Sequence, residues 1–134
     1  MTRQDKKRYL YGYYFLDDKI RRLKEEYETI FTQATKTTPS ESDGSQHMGN
    51  ADSKIEKYAV KLANISAKID RVQNKKDCIE RELKMLKPHQ RYLIEQIDLK
   101  HIPVTKVAER INRSEKTIRN NRNRIIDKMF IDRS

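Results

Sequence analysis

Tryptophan is absent from the 134 residues, cysteine occurs once, and glycine and proline occur three times each. One cysteine excludes an internal disulfide and a Cys-rich metal site, which suits a reducing compartment. Cys78 falls beside Ile79 on a helical seam, where an inert thiol is expected. Scarce glycine leaves no Gly-rich phosphate loop. No apolar run is long enough to span a bilayer, and the opening MTRQDKKRYL lacks the hydrophobic stretch of a secretory signal, so a cytosolic protein without membrane contact is expected.

Catalytic groupings are missing too. His47, His89 and His101 are far apart and have no second ligand at helical spacing. The acids Glu41, Asp43 and Asp52 near His47 read as solvated linker groups, because a metal site needs a supporting shell. No enzyme activity, metal or cofactor is expected.

What the chain has is charge, at 37% of residues against 35% hydrophobic. That is too little apolar material for a thick core and enough for narrow helix seams. Lys and Arg number 30 against 20 acids, a net charge of +10. Residues 87–134 hold 12 basic and 6 acidic groups, so 12 − 6 = +6 of the +10 sits in the last third. Excess of that kind points to a polyanionic partner.

Two heptad stripes come next. Tyr9, Tyr13, Leu16, Ile20, Leu23, Tyr27, Ile30 and Ala34 alternate at spacings of four and three, predicting one helix over 1–34. Gly12 costs that helix about 1 kcal/mol. Residues 35–51 lack periodicity and contain Pro39, Gly44 and Gly49, marking a flexible loop. Ile55, Tyr58, Leu62, Ile65, Ile69, Val72, Ile79, Leu83 and Leu86 then predict a second helix over 52–86, interrupted by Lys76. The two stripes can close as an antiparallel hairpin or pair between chains. So narrow a seam favours a homo-oligomer. The fold expected is all-α, a long two-helix coiled coil followed by a helix-turn-helix domain over 87–134.

Within that last segment, Pro88 ends one helix or starts the next, and Tyr92, Leu93, Ile94, Ile97 and Leu99 give a short amphipathic helix. Pro103 opens another, with Val104, Val107 and Ile111 inward and the small Ala108 permitting close crossing. Asn112 stands where the turn needs left-handed backbone angles, and Ser114 is placed to cap the next helix. Ile118, Ile125 and Met129 form that helix's buried stripe. Arg113 and Asn121 stand where apolar residues are common. At about 100° per residue, Lys116, Asn120 and Asn123 then point outward, with Thr117, Arg119 and Arg124 on the flanks. Asn suits adenine and Lys suits guanine in the major groove, so Lys116, Thr117, Asn120 and Asn123 are the candidate base contacts. Arg113, Ser114, Arg119 and Arg124 suit phosphates. Arg122 lies nearer the buried stripe and has a structural role as readily as a phosphate contact.

Residues 86–130, LKPHQRYLIEQIDLKHIPVTKVAERINRSEKTIRNNRNRIIDKMF, resemble region four of bacterial sigma factors. Carried over SEKTIRNNRNRIIDKM, the resemblance implies base contacts at Glu115, Lys116 and Asn120 and a phosphate contact at Arg119. The whole layout resembles the ArpU/RinA-like regulators of late genes in phages and mobile elements. That implies double-stranded promoter DNA as ligand, transcription activation, a nucleoid-associated protein of the bacterial cytosol, and contact with RNA polymerase. Alternatives are a DNA-packaging protein like a small terminase subunit, and a module that binds polymerase without reading DNA.

Overall fold

The computed structural model describes residues 1–36 and 48–131. The side chains of Glu41, Asp43, His47 and Asp52, and positions 37–47 of the predicted loop, lie outside the described residues. Six α-helices and no strand occur among those described: α1 (Arg3–Tyr11), α2 (Tyr13–Lys36), α3 (Met48–Lys84), α4 (Pro88–Ile94), α5 (Val104–Ile111) and α6 (Glu115–Lys128). A π-helical turn, Glu95–Leu99, follows α4 directly. No described helix is long and apolar enough to cross a membrane. The helices overrun the predicted loop at both ends, through Thr35 and Lys36 and from Met48 to Ala51. The chain divides into two compact units, Met1–Asp17 with Lys75–Ser134, and Asp18–Asn74.

The single helix expected over 1–34 is broken at Gly12, and its first segment belongs with the C-terminal residues. Thr2 and Asp5 form a reciprocal capping box at the start of α1, through bonds of 3.2 and 3.1 Å. The helix then packs on α6 and on the π turn. Arg3 grips Asp127 with two nitrogens at 2.8 and 2.7 Å, and Lys6 donates to the Asp127 carbonyl at 3.0 Å. A cation there also complements the negative end of α6. Tyr9 meets the edge of Phe130 at 5.1 Å.

Hydrogen bonding from Arg3, more than its charge, holds the Asp127 carboxyl below its ordinary value of 3.8. The depressed carboxylate contributes to α1 docking above that value and stops doing so as pH falls through the lowered one. Acidification below about pH 4 should therefore loosen α1, read as movement of the Tyr9 and Phe130 ring NMR signals. Signals unchanged down to a pH at which the Asp127 carboxyl is protonated would show that this ion pair does not hold the helix.

Also in the first unit, the start of α2 runs antiparallel to the end of α3. Tyr13 donates to Glu80 at 2.9 Å, and one turn further along Asp17 pairs with Lys76. Burial and the Glu80 carboxylate push the Tyr13 hydroxyl up to about 12. Lys76, the polar break in the second heptad, is thus the cation of a register-setting pair. Leu10, Leu16, Ile79 and Leu83 are buried.

In the second unit Ile20, Ile65 and Val72 are buried. Leu23, Tyr27, Ile30, Tyr58, Leu62 and Ile69 are half-buried. Ile55, expected on the seam, is exposed, as are Phe31 and Val60.

Pro88 starts α4 rather than ending α3, with Lys87 as the preceding cap residue. Arg91 reaches back to carbonyls at the end of α3 and just beyond it, bonding Leu83 O at 3.0 Å and Leu86 O at 3.4 Å. The π turn widens the helix so that four consecutive residues, Gln96, Ile97, Asp98 and Leu99, are all buried between α1, α4 and α5. Lys100 N closes it on Glu95 O at 2.8 Å, and His101, at φ 57°, turns the chain toward α5.

Candidate nucleic-acid interface

A three-residue turn joins α5 to α6. Asn112 adopts left-handed angles, φ 54° and ψ 52°, and its amide bonds back into α5. Asn tolerates this region better than other residues with a Cβ, which accounts for its place here. Arg113 N continues the closure on Ala108 O at 3.0 Å. Ser114 then caps α6, its hydroxyl accepting from Thr117 N at 3.2 Å. Val107 and Ala108 of α5 pack inward with Ile118, Ile125, Ile126 and Met129. Ile111 departs from its expected inward position. At 36% exposure it lines a groove instead, together with Tyr92 and Leu93 of α4 and Ile118 of α6.

The candidate site residues divide into groups. Lys116 and Asn120 are exposed and make no hydrogen bond or ion pair with a described side chain. They lie one turn apart in the first half of α6, with Arg113 and Arg124 exposed on either side along the chain. Thr117 is exposed, but its hydroxyl is 2.8 Å from that of Ser114, so it serves the cap. Glu115 is half-buried and pairs with Arg119 at 3.3 Å. An exposed pair of this kind contributes little and leaves Arg119 able to turn to another anion.

Asn123 does not belong with the outward group. It is half-buried, and its Oδ1 is enclosed without a partner among the described residues. The reason is that α6 is packed on more than one side, by α4 and α5 and by α1. Ile126, one turn beyond Asn123, is accordingly fully buried. Lys116, Asn120 and Arg124 keep the outward placement that helical phase predicts, and Asn123 does not.

Arg122 is a structural residue. Its Nε lies 3.0 and 3.2 Å from the two carboxylate oxygens of Asp98, and its Nη2 adds a further bond. The Asp98 side chain is 2% exposed, so the pair locks α6 to the π turn in a nearly dry setting. Lys7 stands nearby, its ammonium pushed below the ordinary lysine value by burial and then by the positive charge of Arg122. Arg110 ties α5 to the same turn through Gln96 at 3.2 Å. These long-range contacts carry no local sequence signal. Their one hint is an acid, Asp98, inside an otherwise apolar stretch.

An apolar groove runs beside the first half of α6, with a volume of about 720 Å³. Tyr92, Leu93, Ile111 and Ile118 form its apolar lining, and Arg113 and Asn121 stand among its polar residues. No cluster of His, Cys, Asp and Glu able to hold a metal occurs among the described residues. Comparison of the chain with protein-family models, with curated proteins and with solved structures yields no match.

Proposed function

We propose that α5 and α6 form a helix-turn-helix that reads duplex DNA, and that the protein is a sequence-specific transcription regulator rather than an enzyme. The observation that carries this reading is the pair Lys116 and Asn120, presented without partners among the described residues on the first half of a capped helix. In helix-turn-helix docking the N-terminal residues of the second helix meet base edges in the major groove. Lys can donate to guanine and Asn can bond adenine through both amide groups. Arg113, Arg119 and Arg124 flank the pair and suit phosphates. Thr117 is better assigned to the cap, Glu115 to its ion pair with Arg119, and Asn123 to packing.

Late-gene activation in a phage or mobile element is the setting that the resemblance to ArpU/RinA-like regulators implies. The apolar groove beside α6 favours a protein contact next to the DNA, and RNA polymerase is the partner proposed for it. Self-association is assigned to residues 18–74, where Phe31, Ile55 and Val60 remain exposed. Paired helices there would form the coiled coil of the reading.

The test is salt-dependent binding of the full chain to duplex DNA. Affinity should fall linearly on logarithmic axes as salt rises. Arg119→Ala and Arg124→Ala should each flatten that slope by about 0.9 while weakening binding to all duplexes alike. Absence of duplex binding at low ionic strength would refute the reading, and unchanged slopes would remove both arginines from the interface.

A further inference from the structure

Where α1 meets α2, the break at Gly12 leaves three rings on the surface of the first unit. Tyr11 is 55% exposed, Tyr14 60% and Phe15 51%. They form one patch with His101, whose imidazole lies flat on Tyr11 at 3.9 Å and 9°, with Tyr14 at 5.1 Å and Phe15 at 6.0 Å. The patch is held in place, since His101 Nε2 donates to the Tyr11 carbonyl at 3.1 Å and His101 itself occupies the left-handed region. Grouped aromatic exposure of this kind marks a binding surface more often than chance solvent contact.

Beside the rings lies a hollow of about 430 Å³, lined by Lys7, Arg8 and Arg122 together with Tyr11 and His101. Lys100, next to His101, adds an exposed cation. The nearby acids are already engaged, Asp98 by Arg122 and Asp17 by Lys76. Flat aromatic faces within a net positive rim match a chain of unpaired bases joined by phosphates. Duplex DNA offers base edges rather than faces and cannot use such rings. A second copy docking on this patch by two-fold symmetry would set the same cations against each other.

We propose that Tyr11, Tyr14, Phe15 and His101 form a stacking platform for single-stranded DNA, its phosphates drawn to Lys7, Arg8 and Lys100. This site is separate from Lys116 and Asn120, so one chain would hold duplex through α6 and an opened strand through the α1–α2 junction.

The experiment measures binding of the full chain to a fluorescein-labelled oligothymidylate of about twenty nucleotides by anisotropy. Tyr14→Ala and Phe15→Ala should each weaken binding roughly 5- to 150-fold, the effect of losing one stacked base, while Tyr14→Phe stays near wild type. Both side chains are more than half exposed, so folding should be preserved, which circular dichroism checks. K116A/N120A should bind the oligonucleotide like wild type, keeping this result distinct from failure of the duplex reading. The proposal is overturned if wild type ignores the oligonucleotide, if the ring substitutions leave its affinity unchanged, or if K116A/N120A abolishes it. It is also overturned if the ring substitutions dissociate an oligomer in sedimentation without altering oligonucleotide affinity.

Discussion

Asp98→Ala is expected to destabilise the protein by about 3 kcal/mol in urea unfolding, the lower end of the range for breaking a buried ion pair. The Asp98 side chain is 2% exposed and Arg122 20%, and three hydrogen bonds join them. Removing the carboxylate strands a guanidinium beside Lys7 with its counter-charge gone. Arg122's residual access to water is why the upper end of the range is not reached. Replacing both partners, as in D98L/R122M, should recover most of the loss, because the desolvation cost disappears along with the attraction. A loss below about 1 kcal/mol for Asp98→Ala would mean that Arg122 finds water or another anion, and that α6 is not anchored through this pair.

That anchor was also the part of the molecule least visible in the chain. Periodicity marks which residues of one helix share a face, and it placed Leu16, Ile20, Ile65, Val72, Ile79 and Leu83 correctly in the interior. Local backbone demands were equally legible. Asn112 takes the left-handed turn and Ser114 caps α6, as their residue types and positions predict. What periodicity cannot supply is the number of neighbours a helix acquires. α6 packs with α1, from more than a hundred residues away, as well as with α4 and α5, and on it Asn123 is half-buried and Ile126 belongs to the core. The same gap applies to Ile111, which was expected inward and instead lines the groove beside α6. The break at Gly12 was signalled only by the helix penalty of glycine, and the shared heptad phase outweighed that signal. The π turn has no sequence signature. It shows in the burial of four residues in a row, which no α-helical stripe allows.

The second large effect concerns recognition. Lys116→Ala and Asn120→Ala should each reduce affinity for the preferred duplex by about 1–3 kcal/mol, or roughly 5- to 150-fold. Affinity for unrelated duplexes should change little with Asn120→Ala. Lys116→Ala removes a charge as well, so some loss there is general, and the difference between preferred and unrelated DNA is the informative quantity. Both side chains are exposed, and stability should stay within about 0.5 kcal/mol of wild type. Asn123→Ala should behave differently, changing stability more than sequence preference, because the residue is half-buried and its Oδ1 is enclosed.

The central claim is that the first half of α6 reads bases, and the ratio of affinities for a duplex selected from random sequence and for an unrelated one tests it most directly. That ratio should reach about a thousand or more for the full chain and fall at least roughly thirty-fold in K116A/N120A. A ratio that survives the double substitution unchanged would contradict the account and place recognition elsewhere on the molecule.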